Sequence, residues 1–174
     1  MKGRSYRVRV YELALENHGV VTTELAQDFG IPPVELRKLA GRGAIERIGH
    51  GVYRSPFAKT TNASIAAEAL AIAGSVTFVC GASVLSLLEI GDLNPRQISV
   101  GHPDRLRKKL PAHIRPVKFS KATMPLIENY LGIPCESLES VIRGIKGKIP
   151  GDKFAEISKE TADFDLSRVI GFIS

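Results

Sequence analysis

The sequence predicts an α+β fold built from two domains, and three observations support this prediction. Two short amphipathic helical segments near the N-terminus are separated by a turn of about four residues. Apolar and polar residues then alternate around a glycine-rich turn between residues 44 and 55, as in a two-stranded hairpin. Strand-like and helical segments alternate in the rest of the chain. We therefore predict a winged helix-turn-helix over residues 1–56 and a mixed α+β domain over residues 63–174.

Composition places the chain among ordinary globular proteins. Of 174 residues, 44% are hydrophobic and 24% are charged, enough for two small cores. The N-terminal segment lacks the apolar stretch of a signal peptide, and no run approaches the roughly 18 apolar residues that cross a bilayer. Cys80 and Cys135 have no nearby His or Cys at ligand spacing. We therefore expect a cytoplasmic protein with no metal, no cofactor and no membrane partner.

Positive charge is concentrated in two parts of the chain. The formal net charge is +6; residues 1–58 hold 9 basic and 6 acidic side chains, whereas residues 96–121 hold 8 basic side chains and one acidic one. Such a balance favours a polyanionic partner, although charge by itself does not separate a nucleic acid from a membrane surface.

The first two helices are indicated by spacing and capping. Apolar residues from Tyr6 to Asn17 recur at helical spacing, and Gly19 follows them. Thr22 is a plausible N-cap for a second helix from Thr23 to Phe29.

The third helix follows after a tight turn. We expect Gly30 to adopt the left-handed conformation, Ile31 to fill the core below the turn and Pro33 to begin the third helix. One side of this helix is apolar, and cationic residues project elsewhere. The apolar side consists of Leu36, Leu39 and Ala40, and the cations are Arg37, Lys38 and Arg42.

These features predict contact with DNA through the third helix and the wing. Gly49, His50 and Gly51 form the expected wing tip, and an arginine on each flanking strand can reach phosphates. Arg37 can pair bidentately with guanine. The candidate DNA-binding residues are Pro33, Arg37, Lys38, Arg42, Arg47, His50 and Arg54, joined by an N-terminal phosphate clamp of Lys2, Arg4, Arg7 and Arg9.

The second domain is predicted from a change in composition after the Pro- and Thr-containing linker at residues 56–63. A small-residue helix should end at Gly74 and be followed by a strand. A second helix should follow, with Ser83 as its N-cap. The predicted strands are 76–80, 96–100 and 114–119; the chain from Leu126 onward is expected to alternate helices with Gly/Pro breaks, one of them at residues 132–134.

Several segments, in this order, resemble the AbiEi-type antitoxins of type IV toxin-antitoxin systems. They are GVVTTELA, the leucine-rich cationic helix, RGAIERIGHGVYRSP, CGASVLSLLEIGDLNPRQISVGHP and LGIPCESLESVI. The family has a helix of the form S-A-L-x-L-x-G-L before an N-P-x-x-I-x-V strand. The matching positions are Ser83, Val84, Leu85, Leu87 and Leu88, then Asn94, Pro95, Ile98 and Val100.

The resemblance implies a protein that binds double-stranded DNA at inverted repeats upstream of its own operon and represses transcription. It also implies a functional partner, a toxin of the nucleotidyltransferase class, which the antitoxin opposes without an assumed direct contact. An inverted repeat would most simply hold two copies of the chain.

A second basic patch is predicted in the C-terminal domain. It consists of Arg105, Arg107, Lys108, Lys109, Lys118 and Lys121, with Arg115 beside them. This excess of cations favours an additional phosphate-binding surface, for DNA or RNA, over a solvated loop.

Two other classes of function remain open from the residues. The protein could be a stand-alone winged-helix module that binds protein, or a transcriptional regulator without antitoxin activity. A nucleic-acid-processing enzyme would need metal ligands such as His102 and Asp104, but the four histidines are scattered and no second carboxylate pair has suitable spacing. We therefore expect no catalysis.

Overall fold

The computed structural model describes residues 5–103, 106 and 108–170, and the chain divides into two compact units, Met1–Ile72 and Ala73–Ser174. The elements of the first unit are α1 (Tyr6–Glu16), β1 (Val20–Thr22), α2 (Thr23–Asp28), α3 (Pro33–Gly41), β2 (Glu46–Gly49), β3 (Val52–Arg54) and most of α4 (Asn62–Ala73). Their order up to β3 is the one predicted for a winged helix-turn-helix, except for β1, which the sequence pattern did not predict.

The strands of the first unit form an antiparallel sheet in the order β1-β3-β2. Because β3 lies in the middle, the strand that precedes α2 pairs with the return strand of the hairpin, and α1, α2 and α3 share one core with the sheet. The buried residues of this core are Val10, Leu13, Ala14, Val21, Ala26, Ile31, Leu36, Leu39, Ile45 and Tyr53.

The turn between α2 and α3 has the predicted conformation. Gly30 adopts a φ of +66° and donates its N–H to the Gln27 carbonyl at 2.8 Å. The N–H of Ile31 bonds to the Ala26 carbonyl at 2.8 Å, and the Ile31 side chain is buried. Pro33 then begins α3, where its missing N–H costs no intrahelical hydrogen bond. This turn fixes the direction in which α3 leaves α2.

The helix α4, expected at the start of the second domain, lies largely in the first unit. Within this unit, Arg54 Nη1 on β3 lies 3.4 Å from Glu68 Oε1 on α4. The two units meet in sequence after Ile72.

The second unit contains a five-stranded mixed sheet in the order β6-β5-β4-β8-β7. Its elements are β4 (Phe78–Val79), α5 (Ala82–Leu87), β5 (Ile98–His102), β6 (Ile114–Lys118), β7 (Ile127–Tyr130), β8 (Ile133–Glu136), α6 (Leu138–Ile145), α7 (Gly151–Asp163) and a short 3₁₀ helix (Leu166–Arg168). The pairs β5–β6 and β4–β8 are parallel, while β4–β5 and β7–β8 are antiparallel. The chain is thus mixed α+β, as predicted.

The prediction of a helical alternation from Leu126 onward is wrong for residues 127–136, which form the β7–β8 hairpin. Leu131 and Gly132 both have positive φ, +55° and +77°, as the two central residues of a tight hairpin turn require. Gly132 closes a hairpin and does not break a helix. Helices begin only at Leu138.

The prediction that Ser83 caps a helix is also wrong. Gly81 occupies the N-cap position of α5, with no side-chain cap hydrogen bond. The Ser83 hydroxyl instead accepts a hydrogen bond from the N–H of Ser99 at 2.9 Å, and Ser83 is buried. Ser83 therefore joins α5 to β5, a long-range contact that local spacing does not reveal.

Candidate nucleic-acid interface

The exposed face of α3 carries the central group of predicted DNA-binding residues. Leu36 and Leu39 are buried against the core. Because an α-helix has 3.6 residues per turn, residues three, four and seven positions after Val34 share its face, away from those leucines. The residues of this face are Val34, Arg37, Lys38 and Gly41, all of them exposed.

The two cations of this face differ in their surroundings. Lys38 Nζ lies 2.8 Å from Glu35 Oε1, so its charge is partly balanced within the helix. Arg37 makes no ion pair with any residue that the structure describes, and Arg42, the C-cap of α3, is likewise exposed without such a pair. Arg37 is therefore the cation of the α3 face with its charge most available to a ligand.

The wing is short and is attached to the start of α2. The N–H of Thr23 bonds to the Gly51 carbonyl at 2.8 Å, and the Thr23 hydroxyl donates to the same oxygen at 3.2 Å. His50 is exposed in the turn. Arg47, exposed on β2, donates from Nε to the Gly49 carbonyl at 3.2 Å. The predicted wing tip and its first arginine are thus held close to the helix-turn-helix.

Arg54, the second predicted wing arginine, is engaged by two carboxylates. Its Nη2 lies 2.6 Å from Glu46 Oε2, and its Nη1 lies 3.4 Å from Glu68 Oε1. The hydrogen bond with Glu46 and the charge of Glu68 raise the pKa of Arg54 above its usual value. A phosphate would compete with both acids for this guanidinium, so Arg54 is a weaker candidate than Arg47.

The arginines of α1 also have partners inside the first unit. Arg7 donates from Nε to the Tyr11 hydroxyl at 3.2 Å, with its guanidinium 5.5 Å from the centre of the Tyr11 ring. Arg9 donates to the Phe29 carbonyl, which joins α1 to the turn before α3. Lys2 and Arg4 lie outside the described residues.

Helix α2 contributes no cation to the interface. Its exposed residues include Glu24 and Asp28, and it holds no Lys or Arg. In helix-turn-helix proteins the first helix of the motif crosses the nucleic-acid backbone. Helix α2 therefore presents acidic side chains where that role would require cations.

The second basic patch is only partly described. Lys108, Lys109, Lys118 and Lys121 are exposed, whereas Arg105 and Arg107 lie outside the described residues. Arg115 and Lys118 both lie on β6, but their odd spacing places them on opposite faces of the sheet, since successive side chains of a strand alternate. The sheet therefore separates Arg115 from the lysine that follows it.

Two features of the surface escaped the sequence analysis. Val34 is 42% exposed on the α3 face, a position that its spacing of three from Arg37 would have indicated. In the second unit, Arg96 and Lys148 line a cavity together with Arg115. These residues are far apart in sequence, so only the packing of β5, β6 and α6 brings them together.

The comparison with protein families agrees with the first unit. Residues 8–56 match the family model described as transcriptional regulator, AbiEi antitoxin. The match starts within α1 and ends just after β3, so it contains α2, α3 and the wing. No curated protein matches the chain. The matched segment is thus similar to transcriptional regulators of an antitoxin family, and the resemblance of the later residues stays a prediction.

Metal sites and membrane-spanning helices are two other classes of feature. Within residues 5–103, 106 and 108–170, no group of three or more His, Cys, Asp or Glu side chains is arranged to hold a metal ion. Asp104, considered as a metal ligand, falls outside these ranges. None of the helices in the described part of the chain is long and apolar enough to cross a membrane.

Proposed function

We propose that this protein is a DNA-binding transcriptional autorepressor and antitoxin of a type IV toxin-antitoxin system, which binds inverted repeats upstream of its own operon. One observation carries the proposal. The segment that matches the antitoxin regulators, residues 8–56, includes an α3 whose exposed face presents Arg37 without an ion-pair partner among the described residues.

The proposed mode of binding places α3 in the major groove. Arg37 then donates to O6 and N7 of a guanine, and Arg42 and Arg47 contact phosphates on either side. Lys38 adds a phosphate contact if it leaves its ion pair with Glu35. That ion pair lies at the surface and is therefore weak. Each phosphate that the protein neutralises makes the negative slope of log affinity against log salt steeper by about 0.9.

Two copies of the chain would occupy the two halves of an inverted repeat, with half-sites separated by about one turn of DNA or a multiple of it. The four described lysines of the second basic patch are exposed and can extend the phosphate contacts of each copy. We propose no direct contact with the toxin. The antitoxin opposes the effect of a nucleotidyltransferase-type toxin in the cytoplasm.

DNA binding is tested by fluorescence anisotropy with the promoter fragment and a shuffled duplex at physiological salt. The promoter fragment should bind more tightly than the shuffled duplex, and Arg37→Glu should abolish this preference. Arg143→Glu makes the same charge change at an exposed position on α6 and should leave it intact. Equal affinity for both duplexes would remove specific repression from the proposal.

The protein-interaction alternative gives a different result in the same series. A winged helix that binds protein through apolar contacts would show no promoter preference in the unmodified chain, and its partner would still bind after Arg37→Glu and Lys38→Glu.

The antitoxin role needs its own experiment. The gene next to this one is examined for a nucleotidyltransferase, and the two are expressed together in a host whose growth the toxin arrests. Restored growth supports the antitoxin role. If growth stays arrested while promoter binding is intact, the protein is a transcriptional regulator without antitoxin activity.

A further inference from the structure

A cavity of about 620 Å³ opens on one face of the five-stranded sheet in the second unit, under α6. Its volume lies within the roughly 300–1,000 Å³ of ordinary small-molecule sites, so it holds more than a single inorganic ion. The chain around it has no part in the proposed contact of α3 with DNA.

The walls of the cavity are apolar on two sides. Val117 of β6 and Phe119, the residue after this strand, line it on one side, and Val141 and Ile145 line it from α6. Because a side chain on one face of β6 is followed two residues later by another on the same face, Arg115 continues the row formed by Val117 and Phe119. The cavity therefore combines a slot between two apolar surfaces with a cation at one end of the row.

Three cations line the cavity: Arg96, Arg115 and Lys148. Each is exposed, and none forms an ion pair with a described residue. Glu136 is the acidic residue of the lining, and its Oε2 accepts a hydrogen bond from the N–H of Gly81 at 2.9 Å. With one carboxylate against three cations, the lining has an excess of positive charge directed at a concave surface.

The sheet fixes the backbone position of Arg115. Arg115 is the register partner of Ser99 on the neighbouring parallel strand β5, and Ser99 also lines the cavity. The backbone of Ser99 is held by Ser83 through the 2.9 Å hydrogen bond already described. Ser99 and Arg115 are therefore neighbours on two paired strands, and both line the cavity as donors for an anion.

We propose that this cavity binds a small anionic ligand of the nucleoside monophosphate class. The phosphate is held by Arg115 with Arg96 and Lys148, because a guanidinium matches the geometry of phosphate oxygens and three cations offset its charge. The flat ring system lies in the slot between Val117 and Ile145. The proposal stands apart from the proposed function, since it needs no residue of the first unit.

Isothermal titration calorimetry of the full chain tests the site with GMP and AMP as probes, and with guanosine, adenosine and inorganic phosphate for comparison. At least one nucleotide should bind with a stoichiometry of one and at least tenfold more tightly than its nucleoside or phosphate. Arg115→Gln and Lys148→Gln should each weaken that binding at least tenfold. Lys118→Gln, on the same strand but the opposite face, should change it less than twofold.

A cavity-filling variant gives an independent test. A Cβ at Gly144 meets no neighbouring atom within 4 Å, and Gly144 lines the cavity from α6. Gly144→Leu should therefore abolish nucleotide binding while the thermal unfolding midpoint stays the same or rises. The folded state of every variant is checked by circular dichroism.

Three results would overturn the proposal. Binding of a nucleoside as tight as that of its nucleotide would remove the role of the cations. Full binding by Gly144→Leu would place the ligand elsewhere. Absence of nucleotide binding, together with weaker binding of duplex DNA by Arg115→Gln, would make the cavity part of a DNA-binding surface.

Discussion

Arg54 and Glu46 face each other across the two strands of the wing, and Nη2 of the arginine lies 2.6 Å from Oε2 of the glutamate. This cross-strand pair engages a cation of the wing at the protein surface. Because Glu68 on α4 shares the same guanidinium, the wing and α4 are joined through one side chain.

Removal of the Glu46 charge should release Arg54 toward DNA. For Glu46→Gln we expect tighter binding of duplex DNA and a slope of log affinity against log salt that is steeper by about 0.9, the contribution of one added phosphate contact. The free energy of unfolding should change by less than about 1 kcal/mol, because the pair is exposed. Glu16→Gln, which removes the same charge from α1, should leave the slope unchanged. An unchanged slope for Glu46→Gln would show that Arg54 does not reach a phosphate.

The two cations of the α3 face should contribute unequally to DNA binding. Arg37→Ala should cost about 1–3 kcal/mol of binding to the promoter fragment, because no ion pair with another described residue competes for its guanidinium. Lys38→Ala should cost less than half as much, since its ammonium group is already paired with Glu35. Anisotropy titrations at one salt concentration check both. A larger loss for Lys38→Ala would assign the specific contact to the lysine.

Two glycines of the first unit should respond in opposite ways to alanine. Gly19 has a φ of +88°, and an added Cβ would lie 2.2 Å from Cβ of Ala58, so Gly19→Ala should destabilise the unit by at least about 1 kcal/mol. Gly41 lies in α3, with no atom within 4 Å of an added Cβ. Gly41→Ala should stabilise the protein by about 0.5–1 kcal/mol through helix propensity. Urea unfolding measures both changes, and equal effects would contradict the assigned backbone conformations.

The Tyr130 hydroxyl should be important for the stability of the second unit. It is buried, accepts the N–H of Leu138 at 2.9 Å and donates to Glu128. Tyr130→Phe leaves the start of α6 with an unsatisfied N–H, which costs about 1–3 kcal/mol. Urea unfolding of the full chain, followed by a probe in the second unit, checks the loss. A change below 0.5 kcal/mol, on the order of the noise of such measurements, would mean that another acceptor replaces the hydroxyl.

Both cysteines should be unreactive in the folded protein. Burial raises the pKa of Cys80 to about 12 and that of Cys135 to about 12, so their thiolate fraction at pH 8 is about a thousandfold below that of an ordinary thiol. An aromatic disulfide reagent should label neither cysteine until urea unfolds the chain. Rapid labelling of the native protein would contradict their burial.

The same thiols should make stability fall at alkaline pH. The folded pKa is raised, so the unfolded thiols lose protons first, near their ordinary value of 9.0. The contribution of these thiols to the free energy of unfolding is fully present below pH 9. It is lost progressively as pH rises toward 12. Unfolding free energies measured at pH 8 and 10 should therefore differ, with the lower value at pH 10. The double variant Cys80→Ala and Cys135→Ala should show a smaller difference.

The sequence by itself determined the local order of the first unit. Gly30, Pro33 and the Thr22 cap each act on neighbours a few residues away, so the pattern of residues was sufficient to predict the helices and the turn between them. Arg37 was placed correctly on an exposed face because helical periodicity is also a local property.

Tertiary structure decided which charges remain available and which residues meet across the fold. Arg54 is paired because packing brings Glu68 of α4 to it, and Ser83 binds Ser99 across 16 positions of the chain. The cavity of the second unit depends on the pairing of β5 with β6, and no local pattern specifies that pairing. Such contacts are long-range consequences of strand order and core packing, whereas spacing and capping report only on the turn or helix that contains them.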